Sequence, residues 1–280
     1  MKNNEFLPFA FFEGKIIPTD LAKVSIMTSA LQYGNSVFGG LRGYRSSSRK
    51  NFYIFRPLDH YSRLLSSLKI LNKKIPYSVQ ELVAVTVELA QKNKPSSDFY
   101  IRPLSYAANY ELSPDMSRLQ FDLAIYMIPS RGKISGGYVN SSLAKGDASL
   151  LGFDDALMLD KEGHLSEASA ANFFMVRENK LLTSPKYTDV LEGVTRRTIL
   201  KLALDLGIPT VERMIDRTEI YIADEAFLTG TGAQIAWIKE VDNRQIGTGR
   251  MGPVTSKIQK LFFNIVRGNQ AKYSSWLKKI

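Results

Sequence analysis

Glu167-Ala-Ser169-Ala-Ala-Asn172-Phe173-Phe174, followed by Leu181-Leu-Thr183 and by Leu191-Glu-Gly193-Val194-Thr195-Arg196, is the stretch on which the fold turns. The apolar runs predict strands at 171–176 and 180–183, and the periodicity after Gly193 predicts a helix at 195–206. A carboxylate set among small residues therefore sits beside a strand, and a glycine opens a helix. Upstream, Lys133 lies in the glycine-containing run RGKISGGYVN. A lysine amine is a nucleophile only when its surroundings make it one, and a lysine taken singly is usually a solvated surface charge. The ordered elements that follow Lys133 change that weighting.

Composition narrows the possibilities. The 280 residues, 44% of them hydrophobic, suffice for one large core or two modest ones, and two domains are expected. The chain has no cysteine, which excludes disulfides, thiolate metal sites and a cysteine nucleophile. Its two histidines, His60 and His164, leave little for a histidine metal site or a Ser-His-Asp triad, and no metal is expected. The start, MKNNEFLPFAFFEGK, is too polar for a signal peptide and no stretch approaches a membrane span, so a cytoplasmic protein is expected. The net charge of +10 comes from 37 basic residues interspersed with 27 acidic ones. Without a basic block this describes a solvated surface rather than a nucleic-acid footprint.

Outward from the opening stretch, strands and helices alternate. FAFFEGKIIP reads as a hairpin turning at Glu13-Gly14-Lys15, and SVFGGLRGYRSSSRKNFYIFR as two strands around a polar loop. Helices follow at 58–71 and 78–93, with Tyr61, Leu64, Leu65, Leu68 and Leu71 at helical spacing in the first. FYIRPLSYAA and QFDLAIYM complete a first α+β unit. A second unit, starting near Ile128, carries further strands at 155–159 and 225–229 and a helix at 252–267.

The three elements quoted first stand in the pattern E-x-[small]-x-x-N-[apolar]-[aromatic], apolar-x-T, apolar-x-G-apolar-x-[KR]. In this they resemble the signature of the class IV pyridoxal-phosphate aminotransferases, with the branched-chain amino acid aminotransferases the nearest group. SALQYGNSVFGGLRGY, LDHYSRLLSSLKI, FYIRPL, DEAFLTGTGAQI and GRMGPVTSKIQKLFF also resemble segments of that family. The resemblance implies an α+β, two-domain fold type IV enzyme of the D-amino acid aminotransferase-like kind. Its small domain would be 1–127, and its larger pseudo-barrel cofactor domain 128–280. It implies transamination between leucine, isoleucine or valine and 2-oxoglutarate, in two half-reactions, by a homodimer or larger homo-oligomer. An aminodeoxychorismate lyase-type enzyme of the same fold and a non-catalytic relative are the alternatives.

Carried over residue by residue, the resemblance gives Lys133 the Schiff base to pyridoxal 5′-phosphate and the proton transfer at the substrate α-carbon. Tyr138 would bond the phenolic oxygen of the ring and Glu167 its nitrogen. The phosphate would meet Gly193, Val194 and Thr195 at a helix N-terminus, Gly230 and Thr231 in a glycine turn, and Arg63. Tyr33, Phe38, Tyr100 and Tyr138 would enclose an aliphatic side chain, Arg102 would meet a distal carboxylate, and Tyr100 with the backbone at Thr231 and Gly232 would take the α-carboxylate. The D-specific relatives carry Arg-x-His where this chain has Arg102-Pro103-Leu104, which disfavours D-specificity.

The chain departs from the family pattern twice. Gly39 stands where glutamate is usual, which is expected to loosen the loop beside Phe38. In addition, QFDLAIYM and IPSRGK abut at Met127-Ile128, leaving five residues, about 17 Å when fully extended, before Lys133. The second domain is therefore expected to lack its first strand and the lid loop, exposing apolar surface and opening the site to water.

Overall fold

The computed structural model describes residues 6–111, 115–129 and 139–280, and the chain divides into two compact units, 1–137 with 265–280, and 138–264. Among the described residues no helix is long and apolar enough to cross a membrane.

In the first unit, β1 (Phe9–Phe12) and β2 (Lys15–Pro18) form the expected hairpin, with Glu13 and Gly14 at positive φ. Then come α1 (Ser29–Tyr33), β3 (Ser36–Phe38), β4 (Leu41–Arg45) and β5 (Phe52–Phe55). The stretch read as two strands is thus three, because the chain steps across at Gly39-Gly40. The helices α2 (Pro57–Ile70) and α3 (Val79–Asn93) follow, then the long strands β6 (Phe99–Ala107) and β7 (Phe121–Pro129). Proline opens α2, where no amide is needed, and Asp59 occupies the first turn. A capping box opens α3: Glu81 N donates to Ser78 Oγ at 3.2 Å, and Ser78 N donates to Glu81 Oε2 at 2.7 Å. Tyr61, Leu64 and Leu68 of α2 and Leu82 and Leu89 of α3 enter one core with Leu41, Ile101 and Ile125 of the sheet. Each such side chain contributes about 1.5–3 kcal/mol on burial.

Pro103 lies inside β6, a place that normally excludes proline because the ladder loses a donor. Here β6 pairs with β4 through Ile101 and with β3 from Leu104, so Pro103 falls at the change of partner. Its carbonyl still accepts from Gly39 N at 2.9 Å. That bond ties down the loop at Gly39, where loosening was expected.

β7 runs without a break through Met127-Ile128 to Pro129, with Tyr100 opposite Ile128 and Phe99 opposite Pro129. The start of the second unit expected at Ile128 is corrected accordingly: Ile128 is 2% exposed and its backbone pairs with β6, so it belongs to the first sheet.

The second unit begins with α4 (Val139–Leu150), a serine-rich helix unforeseen in the sequence, whose Leu143 and Leu150 are exposed, as is Leu151 beyond it. It continues with β8 (Leu157–Leu159), β9 (Leu165–Ala168), β10 (Asn172–Arg177), β11 (Lys180–Thr183), α5 (Val194–Asp205), β12 (Thr210–Glu212), α6 (Arg217–Ile220), β13 (Glu225–Gly230) and β14 (Gln234–Trp237). The small strands β15 (Glu240–Val241) and β16 (Arg244–Gln245) pair with each other, and α7 (Pro253–Val266) follows. The sheet order is β12-β11-β10-β13-β14, with the β8-β9 pair separate. Leu165, Phe173, Met175, Leu182 and Ile220 form part of its core.

The last strand, β17 (Leu277–Lys279), returns to the first unit and pairs with β5, giving the order β17-β5-β4-β6-β7-β1-β2. Residues 265–280 therefore fold with the first unit, whereas the sequence alone places all of 128–280 in the second.

Candidate active site

In the second unit the quoted motif closes on itself. β9 turns into β10 through Ser169 and Ala170, with Ala168 N donating to Ala171 O at 2.8 Å, so Glu167 and Asn172 stand side by side. Asn172 Nδ2 donates to Glu167 Oε2 at 2.8 Å and to Leu191 O at 2.9 Å, and Leu191 N donates to the same Glu167 oxygen at 3.2 Å. Burial pushes the Glu167 carboxyl up to about 7, against the Leu191 amide and the Arg196 charge, which both pull it down. Such a carboxyl is poised to accept a cationic partner.

Two residues beyond Leu191, Gly193 is the N-cap of α5, and no side chain caps the helix. The first amides of any helix lack intrahelical partners, and here Val194 and Thr195 supply them. Gly193 has to be glycine, since a Cβ would run into Asn172 Oδ1. The α5 N-terminus is thus held against Asn172. Strand β13 lies beside β10 with Thr229 opposite Asn172, and a Cβ on Gly230 would stand 3.5 Å from Ala170 O. Gly230, Thr231 and Gly232 consequently leave the sheet next to the same turn. The structure therefore brings together Glu167, Gly193, Val194, Thr195, Gly230 and Thr231 from three separate segments.

In the first unit a second group forms. Alternation along β6 sends Phe99 and Ile101 into the core and Tyr100 and Arg102 to the opposite face. The Arg102 guanidinium lies over the Phe38 ring at 4.4 Å and the Tyr100 ring at 5.3 Å, and Arg102 is 7% exposed. Gly40 admits the Tyr100 ring, because a Cβ there would collide with the Tyr100 hydroxyl. Tyr33 ends α1 and is itself 44% exposed, while Arg63 is half-buried on α2. Lys133 and Tyr138 lie outside the described residues.

Two residues of these groups have no assigned role in the sequence. Asn172 stands there as part of a pattern without a task, and only the contact with Glu167 gives it one. Arg42 pairs with Tyr100 across β4 and β6, so it shares the Arg102 face. Strand alternation counted from Leu41 is the signal that could have indicated it.

The donor set suits pyridoxal 5′-phosphate. Uncapped amides at α5 and the adjoining glycine turn fit its phosphate, and a desolvated carboxyl without an ion-pair partner among the described residues fits its ring nitrogen.

Comparison with known proteins agrees. The family model for amino-transferase class IV matches residues 127–241. A probable branched-chain-amino-acid aminotransferase of Aquifex aeolicus is 38% identical, across 98% of this chain and 97% of its own. The branched-chain-amino-acid aminotransferase of Pseudomonas aeruginosa is 36% identical, across 95% of each. The solved branched-chain aminotransferase of the archaeon Thermoproteus uzoniensis, with norvaline, superposes with a TM-score of 0.90 at 37% identity, across 97% of this chain and 98% of its own. The branched-chain amino acid aminotransferase of Thermobaculum terrenum, solved in its PLP form, gives 0.91 at 31% identity, across 98% of this chain and 99% of its own. The Aquifex alignment extends over 302 positions against a chain of 280 residues, so that relative carries at least 22 residues without a counterpart here. The fold is that of the fold type IV aminotransferases, and the chain belongs to the class IV aminotransferase family.

Proposed function

We propose that the protein transfers the amino group of leucine, isoleucine or valine to 2-oxoglutarate with pyridoxal 5′-phosphate as cofactor. The observation that carries this reading is the grouping of Glu167, the α5 N-terminus and the Gly230-Thr231 turn around Asn172. The full-length match to proteins named as branched-chain-amino-acid aminotransferases supports the substrate class. When bound, the cofactor supplies an electron sink for the substrate α-carbon. Lys133 is then the covalent tether and the base that moves the α-proton, with Tyr138 at the ring oxygen. Glu167 keeps the ring nitrogen protonated. Amides of Val194, Thr195, Gly230 and Thr231, with Arg63, hold the phosphate, and Gly193, whose own amide donates to Leu191 O at 2.7 Å, sets the start of the helix against it.

Phe38, Tyr100 and Tyr33 form apolar walls, and Arg102, stacked on two of them, meets the distal carboxylate of the acceptor. Thr231 and Gly232 take the α-carboxylate. The aromatic stack suits one pocket to both an aliphatic and a charged side chain, because its arginine is already packed when no carboxylate is present.

Purified protein incubated with the cofactor should form glutamate from 2-oxoglutarate and leucine, and Lys133→Ala should abolish turnover and borohydride-fixable cofactor. Turnover by Lys133→Ala at the wild-type rate defeats the reading, and ketoacid release that continues past one equivalent per site without any amino acceptor redirects it to lyase chemistry.

The enzyme is a homodimer or larger homo-oligomer in this reading. Leu21, Val24, Ile26, Met27 and Leu31 are all exposed within a few residues, Ile26 at 78%, and such a patch calls for cover. Light scattering that returns the mass of one chain counts against it. A cytoplasmic setting accompanies the reading, since a chain without cysteine depends on no oxidising compartment.

A further inference from the structure

We propose that Asn172 is a positioning residue. Its side-chain amide fixes the Glu167 carboxylate against the start of α5, so that the contact to a ring nitrogen and the contacts to a phosphate are held at one spacing. This rests on the pyridoxal-phosphate reading above.

The geometry is specific to asparagine. Both partners of Nδ2, Glu167 Oε2 and Leu191 O, are acceptors, so both amide protons are used and the orientation of the group is chemically fixed. The backbone of Leu191 is gripped at both of its polar groups, the carbonyl by Asn172 and the amide by Glu167. Two residues later the chain enters α5, with Gly193 pressed against Asn172 Oδ1. Asn172 is 4% exposed, so the bonds are shielded from competing water. Aspartate has the same shape and none of the donors, and would set a second carboxylate against Glu167. Glutamine adds a methylene where Gly193 leaves no room. On the other side, Asn172 pairs with Thr229, one residue before the Gly230-Thr231 turn. One side chain thus touches the acid and the helix start, and its backbone pairs with the strand that ends in the glycine turn.

The test uses the cofactor-free protein and pyridoxal 5′-phosphate as probe. In the wild type, the Asn172 side-chain amide resonances should move with the titration of Glu167, and resonances indifferent to it overturn the proposal. Asn172→Ala and Asn172→Asp should bind the cofactor about tenfold or more weakly, the scale of a lost hydrogen bond to a charged group. In a Glu167→Gln background, Asn172→Ala should add little further loss. Equal losses in both backgrounds reduce Asn172 to a general structural role and overturn the proposal. A wild-type protein that binds no cofactor defeats the reading itself. A wild type that binds it, with Asn172 variants that bind equally well, defeats only the positioning role. The resonance measurement needs no variant, so it decides the question even if the substitutions prevent folding.

Discussion

Glu167 should make the cofactor-free protein less stable as the pH rises toward neutrality, and replacing it should remove that dependence. Its carboxyl titrates at about 7 in the fold, against an ordinary value of 4.5, because burial disfavours the charge. A group whose folded pKa is raised contributes stability that is complete below the unfolded pKa and is lost as the pH climbs through the folded one. Between the two values the native state keeps a proton that the unfolded chain releases. Each tenfold in proton affinity is about 1.36 kcal/mol, so the gap corresponds to about 3 kcal/mol at most, and partial exposure of the carboxyl reduces it to roughly 2 kcal/mol. Urea unfolding of wild type and Glu167→Gln, both without cofactor, from about pH 5 to about pH 8 should show the wild type falling behind by that amount. Saturating pyridoxal 5′-phosphate should reverse the order at the alkaline end, since a protonated ring nitrogen then pairs with the carboxylate. Parallel curves for the two proteins throughout the range would refute the argument that Glu167 is desolvated and waiting for a cation.

Other substitutions probe the same surfaces. Gly193→Ala places a methyl into Asn172 Oδ1 and should cost about 1–3 kcal/mol in urea unfolding, while weakening affinity for inorganic phosphate. Gly40→Ala should displace Tyr100, with a comparable loss of stability and a raised KM for the amino acid. Arg102→Leu should raise KM for 2-oxoglutarate about tenfold or more and leave that for leucine nearly unchanged, because only the former brings a second carboxylate. Equal effects on both substrates would remove Arg102 from the proposed carboxylate site.

Local patterns carried a good part of this molecule, and their reach ended where partners lie far apart. The hairpin at Glu13-Gly14, the helix behind Ser78 and strand β11 are all set by neighbouring residues, and they stand where periodicity puts them. Ile128 and Pro129 look like the beginning of something new because IPSRGK reads as a connection. What holds them in β7 is pairing with Tyr100 and Phe99, nearly thirty positions earlier. Strand β17 is only Leu-Lys-Lys and has no strand signature of its own; it exists because β5 offers it an edge. The motif around Glu167 identified the chemistry, and the Asn172 bond that organises it spans β9, β10 and the approach to α5, so it becomes visible only once the chain is folded.

The pairing of β17 with β5 also orders events during synthesis. β5 leaves the ribosome more than two hundred residues before its outer neighbour exists, and at a typical pace of about 5–20 residues per second that interval lasts at least ten seconds or so. Throughout it the backbone of Phe52–Phe55 presents an open edge next to aromatic side chains, the kind of template that recruits other nascent strands. The whole second unit is made inside that window. Removing the last few residues should therefore harm the yield of folded protein more than its final stability, a difference that slower translation or a chaperone acting on nascent chains would reveal.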